Sequence, residues 1–405
     1  MLAWYHCLYA QSGWFLQSSG TSHNLHGVQF SHGNQNMAWA CGDSGTILFT
    51  SNGGTNWVQQ TSGTTRNLYA ITFMEISGGP VFTVGDSGTM LRTTNNGSSW
   101  IQLSSPTRQT LRDVSDFRFV AVGDSGTLLK STDNGSTWSL RQSGTTRRLN
   151  AAAGFTPYYA VGDSGTIVRS TNDGATWAPI TSGTTENLYA LPLFSMGSNL
   201  DWLMVGNNGL IWRSTNFGTS WFSQNSGTTS RLTSVESSGG NADVAYCVGF
   251  SGTILKTTNN GAQWGVQRSN TTHNLHSVFF YLNNNVGYAV GDSGTILKTT
   301  DGGGPIVSVN DDERIRSSQG FSLWQNFPNP FNPRTVIRYK LPKAIHVTLK
   351  IYDVLGREVG VLASEMKEAG VHEVTFDATR LPSGVYIYTL VAGEFRSAKK
   401  LIVLK

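Results

Sequence analysis

Glycine, aspartate and serine recur in an arrangement that could present a nucleophile. The tetrapeptide Gly-Asp-Ser-Gly or a near copy occurs seven times, five of them identical, beginning at Gly42, Gly85, Gly123, Gly162, Gly206, Gly249 and Gly291. A serine hydrolase needs one such serine, activated by one histidine and oriented by one acid. Five identical copies without a placed histidine and acid argue against catalysis. We therefore interpret the tetrapeptide as a structural repeat.

Paired carboxylates are a second chemistry that the chain could support, because glycoside hydrolysis uses two acids about 5–10 Å apart. Residues 1–305 contain 15 acids, of which eight belong to repeated motifs. The other seven are Glu75, Asp113, Asp116, Glu186, Asp201, Glu236 and Asp243. Asp113 and Asp116 fall within one short predicted strand, where we interpret them as solvated edge charges. We assign no catalytic residue, and a glycan-degrading hydrolase is kept as an alternative function.

Histidines form two His-x-x-His pairs at equivalent positions of the repeat, His23 with His26 and His273 with His276. Zinc favours histidine ligands. Residues three apart on a strand point to opposite faces, however, which disfavours chelation within a pair. We predict no metal site and no cofactor.

A loop of the type Ser-Gly-Thr-Thr-x-Asn-Leu precedes each repeat, and its side chains vary just before the leucine. A fixed framework with varied side chains is how a scaffold presents a recognition surface. Arginines there could hold carboxylates or sulfates, so we predict an anionic glycan or a protein as ligand. The alternative interpretation is that these are ordinary solvated residues. The predicted ligand-binding residues are His23, Arg66, Arg147, Arg148, Glu186, Arg231 and His273.

The elements that carry these loops follow from the spacing of the turns, which is 43, 38, 39, 44, 43 and 42 residues. A period near forty with strand-like runs between turns is typical of a β-propeller with one repeat per four-stranded blade. In the second repeat, for example, we predict strands at 68–73, 81–84 and 89–93, and a fourth that begins at Trp100.

A tryptophan always follows the first glycine of the turn by 15 residues, except in the seventh repeat, which has none. At the other end of the chain, residues 14–21 match residues 57–64 in type. We predict that this N-terminal segment supplies the outer strand of the seventh blade and closes the ring, because closure removes an exposed strand edge. The predicted propeller spans residues 11–305.

Composition excludes several classes of protein. Residues 1–305 contain 15 basic and 15 acidic side chains, and residues 306–405 contain 14 and 10, so the propeller is neutral and does not favour nucleic-acid binding. No apolar stretch approaches the roughly 20 residues needed to span a membrane. Three cysteines argue against a disulfide scaffold. We interpret Cys41 and Cys247 as small buried apolar residues.

The repeat period stops after Pro305. Residues 306–319 are a predicted linker, and residues 320–405 contain short alternating strands at 335–339, 347–352, 371–376, 385–390 and 397–404. This pattern predicts a small immunoglobulin-like sandwich. The expected fold is therefore all-β, a seven-bladed propeller followed by a small sandwich.

Two resemblances concern the propeller. Residues 131–138, Ser-Thr-Asp-Asn-Gly-Ser-Thr-Trp, resemble the Asp-box (BNR) repeat of sialidases and related proteins, which implies a structural hairpin whose Asp bonds backbone amides and whose Trp packs between blades. Segments such as 253–255 and 274–278 resemble the photosystem II assembly and stability factor propellers. That resemblance implies a seven-bladed scaffold, and a photosystem-assembly-factor-like role is a further alternative.

The tail resembles the type A C-terminal sorting domain of the type IX secretion system over residues 320–405. The resemblance rests on residues 325–333 (QNFPNPFNP), 351–353, 383–386 and 399–405. It implies handling by the type IX machinery and secretion to, or display on, the outer surface of a Gram-negative bacterium. Residues 1–10 then read as the remnant of a signal peptide. We predict a secreted or surface-displayed binding module.

Overall fold

The computed structural model describes residues 13–31, 33–73, 79–115, 119–153, 157–191, 202–216, 218–237, 243–282, 284–304, 306, 321–324, 326, 328–393 and 395–404. The predicted signal remnant and residues 307–319 of the predicted linker lie outside these ranges. Contacts divide the chain into two compact units, Met1–Val307 and Ser308–Lys405.

Seven four-stranded antiparallel sheets make up the first unit within the described residues, as the repeat predicted. In six of the sheets the strands lie side by side in chain order, and in the seventh the first strand of the chain takes the fourth place. The innermost strands of neighbouring sheets contact one another, which places them around the central axis. These innermost strands are Leu25–Ser31, Leu68–Phe73, Leu111–Val114, Leu149–Ala153, Leu188–Ala190, Leu232–Ser237 and Leu275–Phe280.

The remaining strands of each blade run outward from the axis. The second strands are Asn34–Gly42, Val81–Gly85, Val120–Gly123, Tyr158–Gly162, Trp202–Gly206, Ala245–Gly249 and Gly287–Gly291. The third strands are Ile47–Thr50, Met90–Thr93, Leu128–Lys130, Ile167–Ser170, Ile211–Ser214, Ile254–Thr257 and Ile296–Thr299. The fourth, outermost strands are Val58–Gln60, Ile101–Gln102, Ser139–Leu140, Ala178–Ile180, Phe222–Gln224, Gly265–Gln267 and, for the seventh blade, Phe15–Gln17.

The N-terminal strand closes the ring, and this prediction is confirmed. Phe15–Gln17 pairs antiparallel with Ile296–Thr299, with Leu16 opposite Leu297. Trp14 is 2% exposed, packs edge-on against Phe280 at 5.7 Å between ring centroids, and donates its indole N–H to Oε1 of Gln267 in the sixth blade at 3.0 Å. Trp14 therefore takes the part that the repeat tryptophan plays in the other blades.

The Asp-box hairpins join the third and fourth strands at the opposite end of each blade from the Gly-Asp-Ser-Gly turns. In the third blade, Oδ1 of Asp133 accepts the backbone N–H of Thr137 at 2.8 Å, which fixes the hairpin. In the seventh blade both carboxylate oxygens of Asp301 accept the N–H of Gly13 at 3.1 Å. The last box is thus completed by residues from the other end of the sequence.

The propeller core lies between blades. Trp57 of the first blade packs edge-on against Tyr288 of the seventh at 5.3 Å, within a cluster that contains residues of both blades. Cys41 and Cys247 are free and buried, as expected, and burial raises the pKa of the Cys41 thiol to about 12. These cysteines are therefore packing residues rather than reactive thiols.

The second unit is a sandwich of a three-stranded and a four-stranded sheet, as predicted. The smaller sheet has the order Ser322–Leu323, Arg334–Leu341, Gly370–Asp377; the larger has the order Glu358–Lys367, Ile345–Asp353, Gly384–Ala392, Phe395–Val403. The edge strand Glu358–Lys367 was not predicted. Its pairing with Ile345–Asp353 shifts register twice, which breaks the alternation that sequence reasoning depends on.

Where the structure describes the chain, it contains no helix long and apolar enough to cross a membrane.

Candidate functional site

The Gly-Asp-Ser-Gly segments form the rim of the propeller at one end. Each is a single 3₁₀ turn, such as Asp43–Gly45, in which Ser44 has φ 54° and Gly45 has φ 70°. A Cβ added at Gly45 would lie 1.9 Å from the carbonyl oxygen of Thr64, in the loop that enters the second blade. The second glycine of the turn is therefore required for close packing between neighbouring blades.

An asparagine in the loop before each of four blades fastens that loop to the turn of the preceding blade. The Oδ1 of Asn67, for example, accepts the backbone N–H of Ser44 at 2.9 Å. Equivalent bonds of 2.8–3.0 Å join Asn187 to Ser164, Asn274 to Ser251 and Asn24 to Ser293. The asparagine of the loop motif is therefore part of the framework, and the last of these bonds spans the seam between the seventh and first blades.

A β-bulge at the second residue of every innermost strand builds the site. In each blade the register shifts between the first and third residues, so the second residue is left unpaired. Bulges redirect a side chain and are common beside functional sites. The seven bulge residues are His26, Tyr69, Arg112, Asn150, Tyr189, Thr233 and His276.

Five of the bulge side chains bond the first residue of their own turn. The hydroxyl of Tyr189 donates to Oδ1 of Asn207 at 3.2 Å. The Nε2 of His26 lies 2.7 Å from Asp43, and the Nε2 of His276 lies 2.6 Å from Asp292. Asn150 donates to Asp163 at 3.0 Å. Arg112 donates to both oxygens of Asp124 at 3.0 and 3.1 Å.

In these pairs, burial and the bonded partner shift the pKa of a side chain in opposite directions. Burial alone would raise the pKa of Asp124, but Arg112 and Arg148 lower it below its usual range. Burial lowers the pKa of His276, which its bond to Asp292 only partly offsets. His276 is therefore neutral at physiological pH, while Asp124 is ionised.

Neighbouring side chains touch around much of the ring. The His26 ring lies 5.3 Å from that of His276 and 5.2 Å from that of Tyr69, between centroids. The Arg112 guanidinium lies 4.5 Å from the centroid of Tyr69. We call this end of the propeller, composed of the seven turns, the loops before the innermost strands and the seven bulge residues, the channel-mouth face.

The predicted residues His23, Arg66, Arg147 and His273 lie on the channel-mouth face, each exposed and each bonded to the turn of its own blade. The Nδ1 atoms of His23 and His273 lie 2.8 and 2.7 Å from the hydroxyls of Thr46 and Thr295. Arg66 donates to the hydroxyl of Thr89 at 3.4 Å, and Arg147 donates to the carbonyl of Ser164 at 3.0 Å. Their repeat position is thus equivalent in space as well as in sequence.

The other predicted residues behave differently. Arg148 pairs with Asp124 of the preceding blade at 2.8 Å. Glu186 accepts from the amide of Asn208 at 3.0 Å and lines, together with Arg147, an open cleft of about 680 Å³. Arg66 lines a second cleft of about 860 Å³ between the first two blades. Arg231 stacks on aromatic rings. The structure thus brings Arg147 and Glu186 to one cleft and places Arg66 in another.

The acids considered for glycoside hydrolysis are dispersed. Asp113 and Glu236 lie on the innermost strands of the third and sixth blades, and Glu186 lies in the loop before the fifth. Asp243 lies between the first two strands of the sixth blade, and Glu75, Asp116 and Asp201 lie outside the described residues.

The interpretation of Asp113 as a solvated charge was wrong. Its Oδ2 accepts the N–H of Ala152 in the fourth blade at 2.9 Å, and burial raises its pKa to about 6.

We argued against chelation within a His-x-x-His pair by assuming that both histidines lie on one strand, and this assumption was wrong. His26 and His276 lie on innermost strands, but His23 and His273 precede those strands. Among the residues that the structure describes, no group of three or more His, Cys, Asp and Glu side chains is placed to hold a metal ion.

Fold and tail together define the class of protein, an exported propeller of the BNR type. Residues 325–404 match the family model of the secretion system C-terminal sorting domain, and residues 9–110 match that of the photosynthesis system II assembly factor YCF48. The sorting domain indicates export by the type IX secretion system. No curated protein sequence matches the chain.

Solved structures that are similar to the propeller include two of YCF48. YCF48 from Cyanidioschyzon merolae superimposes with a TM-score of 0.59 at 16% identity, covering 71% of this chain and 99% of that one. A structure of YCF48 bound to D1 peptide gives a TM-score of 0.60 at 18% identity, covering 72% and 97%. At these identities the similarity establishes the fold, and the resemblance noted in the sequence is confirmed.

Proposed function

We propose that the protein is a secreted or surface-displayed binding module that holds an extended segment of a partner protein on its channel-mouth face. The observation that carries this proposal is the ring of bulge residues, in which an identical backbone device presents His, Tyr, Arg, Asn and Thr in different blades. A framework that is constant while its side chains vary suits recognition of a particular partner.

The framework is rigid where the partner would bind. Each turn closes with a backbone bond, such as that from the N–H of Thr46 to the carbonyl of Asp43 at 3.0 Å. The loop asparagines then join neighbouring turns, as Asn67 does to Ser44. Side chains held in this way lose little conformational entropy on binding, which favours affinity.

A peptide is favoured over a glycan by two considerations. The ring contains Tyr69, Arg112 and Tyr189, and tyrosine and arginine are enriched at protein–protein interfaces. A propeller of the same fold, YCF48, has been observed bound to D1 peptide. Because the sorting domain directs export, the propeller would bind its partner outside the cell or on the cell surface.

Selection of random dodecapeptides displayed on phage against the full chain tests the proposal. We expect the selected peptides to lose at least about 10-fold in affinity when Arg66 and Arg147 are both replaced by alanine. The matched control carries alanine at Thr94 and Ser136, exposed residues of the box hairpins at the other end of the blades. If both variants lost peptide affinity equally, or if only the control lost it, the peptide would bind elsewhere on the molecule.

A further inference from the structure

Two consecutive blades depart from the repeat at the first residue of the turn. Five turns have aspartate there, but the fifth blade has Asn207 and the sixth has Phe250. The backbone does not change: both turns keep the same 3₁₀ geometry, with Asn208 at φ 55° and Ser251 at φ 57°. The departures therefore remove two carboxylates from one sector of the channel mouth and leave its structure intact.

An arginine lies in that sector. Arg231 and Arg148 occupy the same position of the loop before an innermost strand, but their surroundings differ. Arg148 pairs with Asp124, the turn aspartate of the preceding blade, at 2.8 Å. The corresponding residue for Arg231 is Asn207, which is neutral. No described carboxylate forms an ion pair with Arg231.

Aromatic rings hold the Arg231 guanidinium in place. Its central carbon lies 3.8 Å from the ring centroid of Tyr189 and 4.9 Å from that of Phe250. Stacking of this kind stabilises the cation through the faces of the rings. The Nε atom of Arg231 is buried, so the N–H groups of Nη1 and Nη2 are the donors left for a ligand. A carboxylate is the group that matches this pair of donors in a bidentate manner.

We propose that Arg231, stacked against Tyr189 and Phe250 and deprived of an internal counter-ion by Asn207, is the binding site for a carboxylate of the partner. This inference rests on the proposed function and assigns one chemical group of the ligand to one place on the channel-mouth face. Arg148, the other arginine at this repeat position, is not expected to bind the partner's carboxylate, because it already forms an ion pair with Asp124.

The test uses a substitution that supplies the missing counter-ion. Asn207→Asp places a carboxylate where Asp124 stands relative to Arg148, and it keeps an acceptor for the hydroxyl of Tyr189, which donates to Oδ1 of Asn207 at 3.2 Å. Arg231→Gln removes the cation directly. Arg396→Gln, at an exposed position of the second unit and outside the channel-mouth face, is the control for loss of one positive charge.

The probes are N-acetyl hexaglutamate with an amidated C-terminus, N-acetyl hexaglutamine with a free C-terminus, and fully neutral N-acetyl hexaglutamine amide, titrated into the full chain. We expect a charged probe to bind more tightly than the neutral one. Which charged probe binds distinguishes side-chain carboxylates from a chain terminus. The affinity of that probe should fall about 10- to 100-fold in both Arg231→Gln and Asn207→Asp, with little change in Arg396→Gln.

The inference is overturned if the neutral probe binds as well as both charged ones, if no probe binds, or if Asn207→Asp retains full affinity. Should phage-selected peptides bind through Arg66 and Arg147 while neither Arg231→Gln nor Asn207→Asp changes any affinity, the carboxylate site fails and the binding module stands. If replacement of Arg66 and Arg147 also leaves the affinity of those peptides unchanged, the proposed function fails as well.

Discussion

Replacing Trp14 with alanine will destabilise the propeller by about 3–5 kcal/mol, the range found for removal of a buried tryptophan from a core. The substitution removes a side chain that is 2% exposed and the indole bond to Gln267. It also loosens the strand Phe15–Gln17, on which closure of the seventh blade depends. Urea unfolding monitored by tryptophan fluorescence measures the change, because 11 of the 12 tryptophans precede residue 305.

Two variants serve as controls for this effect. Leu16→Ala changes a residue two positions after Trp14 in the same segment. Because Leu16 is 69% exposed, we expect the free energy of unfolding to change by less than about 0.5 kcal/mol. Trp177→Ala removes the repeat tryptophan of the fourth blade, which is covalently continuous, and should cost about as much as Trp14→Ala. A Trp14→Ala protein as stable as wild type would mean that the N-terminal segment does not close the ring.

Replacing Asp113 with asparagine or serine will stabilise the propeller at neutral pH by about 2 kcal/mol, after allowance for partial exposure. Burial raises the pKa of Asp113 from 3.8 to about 6 in the folded chain. The unfolded chain therefore loses this proton at lower pH than the folded chain, and the charged carboxylate penalises folding. The penalty is absent below about pH 4, grows between about pH 4 and 6, and is complete above about pH 6.

Serine suits the site because Ser277 and Ser234 accept the equivalent inter-blade N–H bonds, at 3.4 and 3.3 Å, elsewhere in the ring. Urea unfolding at about pH 4 and about pH 7.5 provides the measurement. We expect the stabilisation at the higher pH and almost none at the lower. Stabilisation of the same size at both pH values would show that ionisation of Asp113 is not the cause.

The closed propeller could be predicted because its signals are local and repeated. The fixed interval of 15 residues from turn to tryptophan defines a hairpin of constant length, and its absence in the seventh repeat calls for Trp14. The strand Glu358–Lys367 escaped prediction because it is an edge strand with two register shifts. Its apolar side chains therefore do not alternate as strand patterns require.

The bulge residues escaped prediction for a different reason. His26 and Tyr69 follow a buried leucine on a strand, where simple alternation predicts an ordinary outward side chain. The bulge that turns them to the channel mouth depends on pairing with the second strand. A signal was nonetheless present, since the residue after each leucine varies while the leucine does not. The surroundings of Arg231 combine residues of the fifth and sixth blades and could not be derived from one repeat.

Amide hydrogen exchange of the full chain, with and without a selected dodecapeptide, shows whether the channel-mouth face is the binding surface. We expect slower exchange, on binding, in the turns and in the loops before the innermost strands, with the largest change near residues 207–210, 231 and 250–253. Protection confined to the Asp-box hairpins, to the outermost strands or to the sorting domain would show that the partner binds elsewhere.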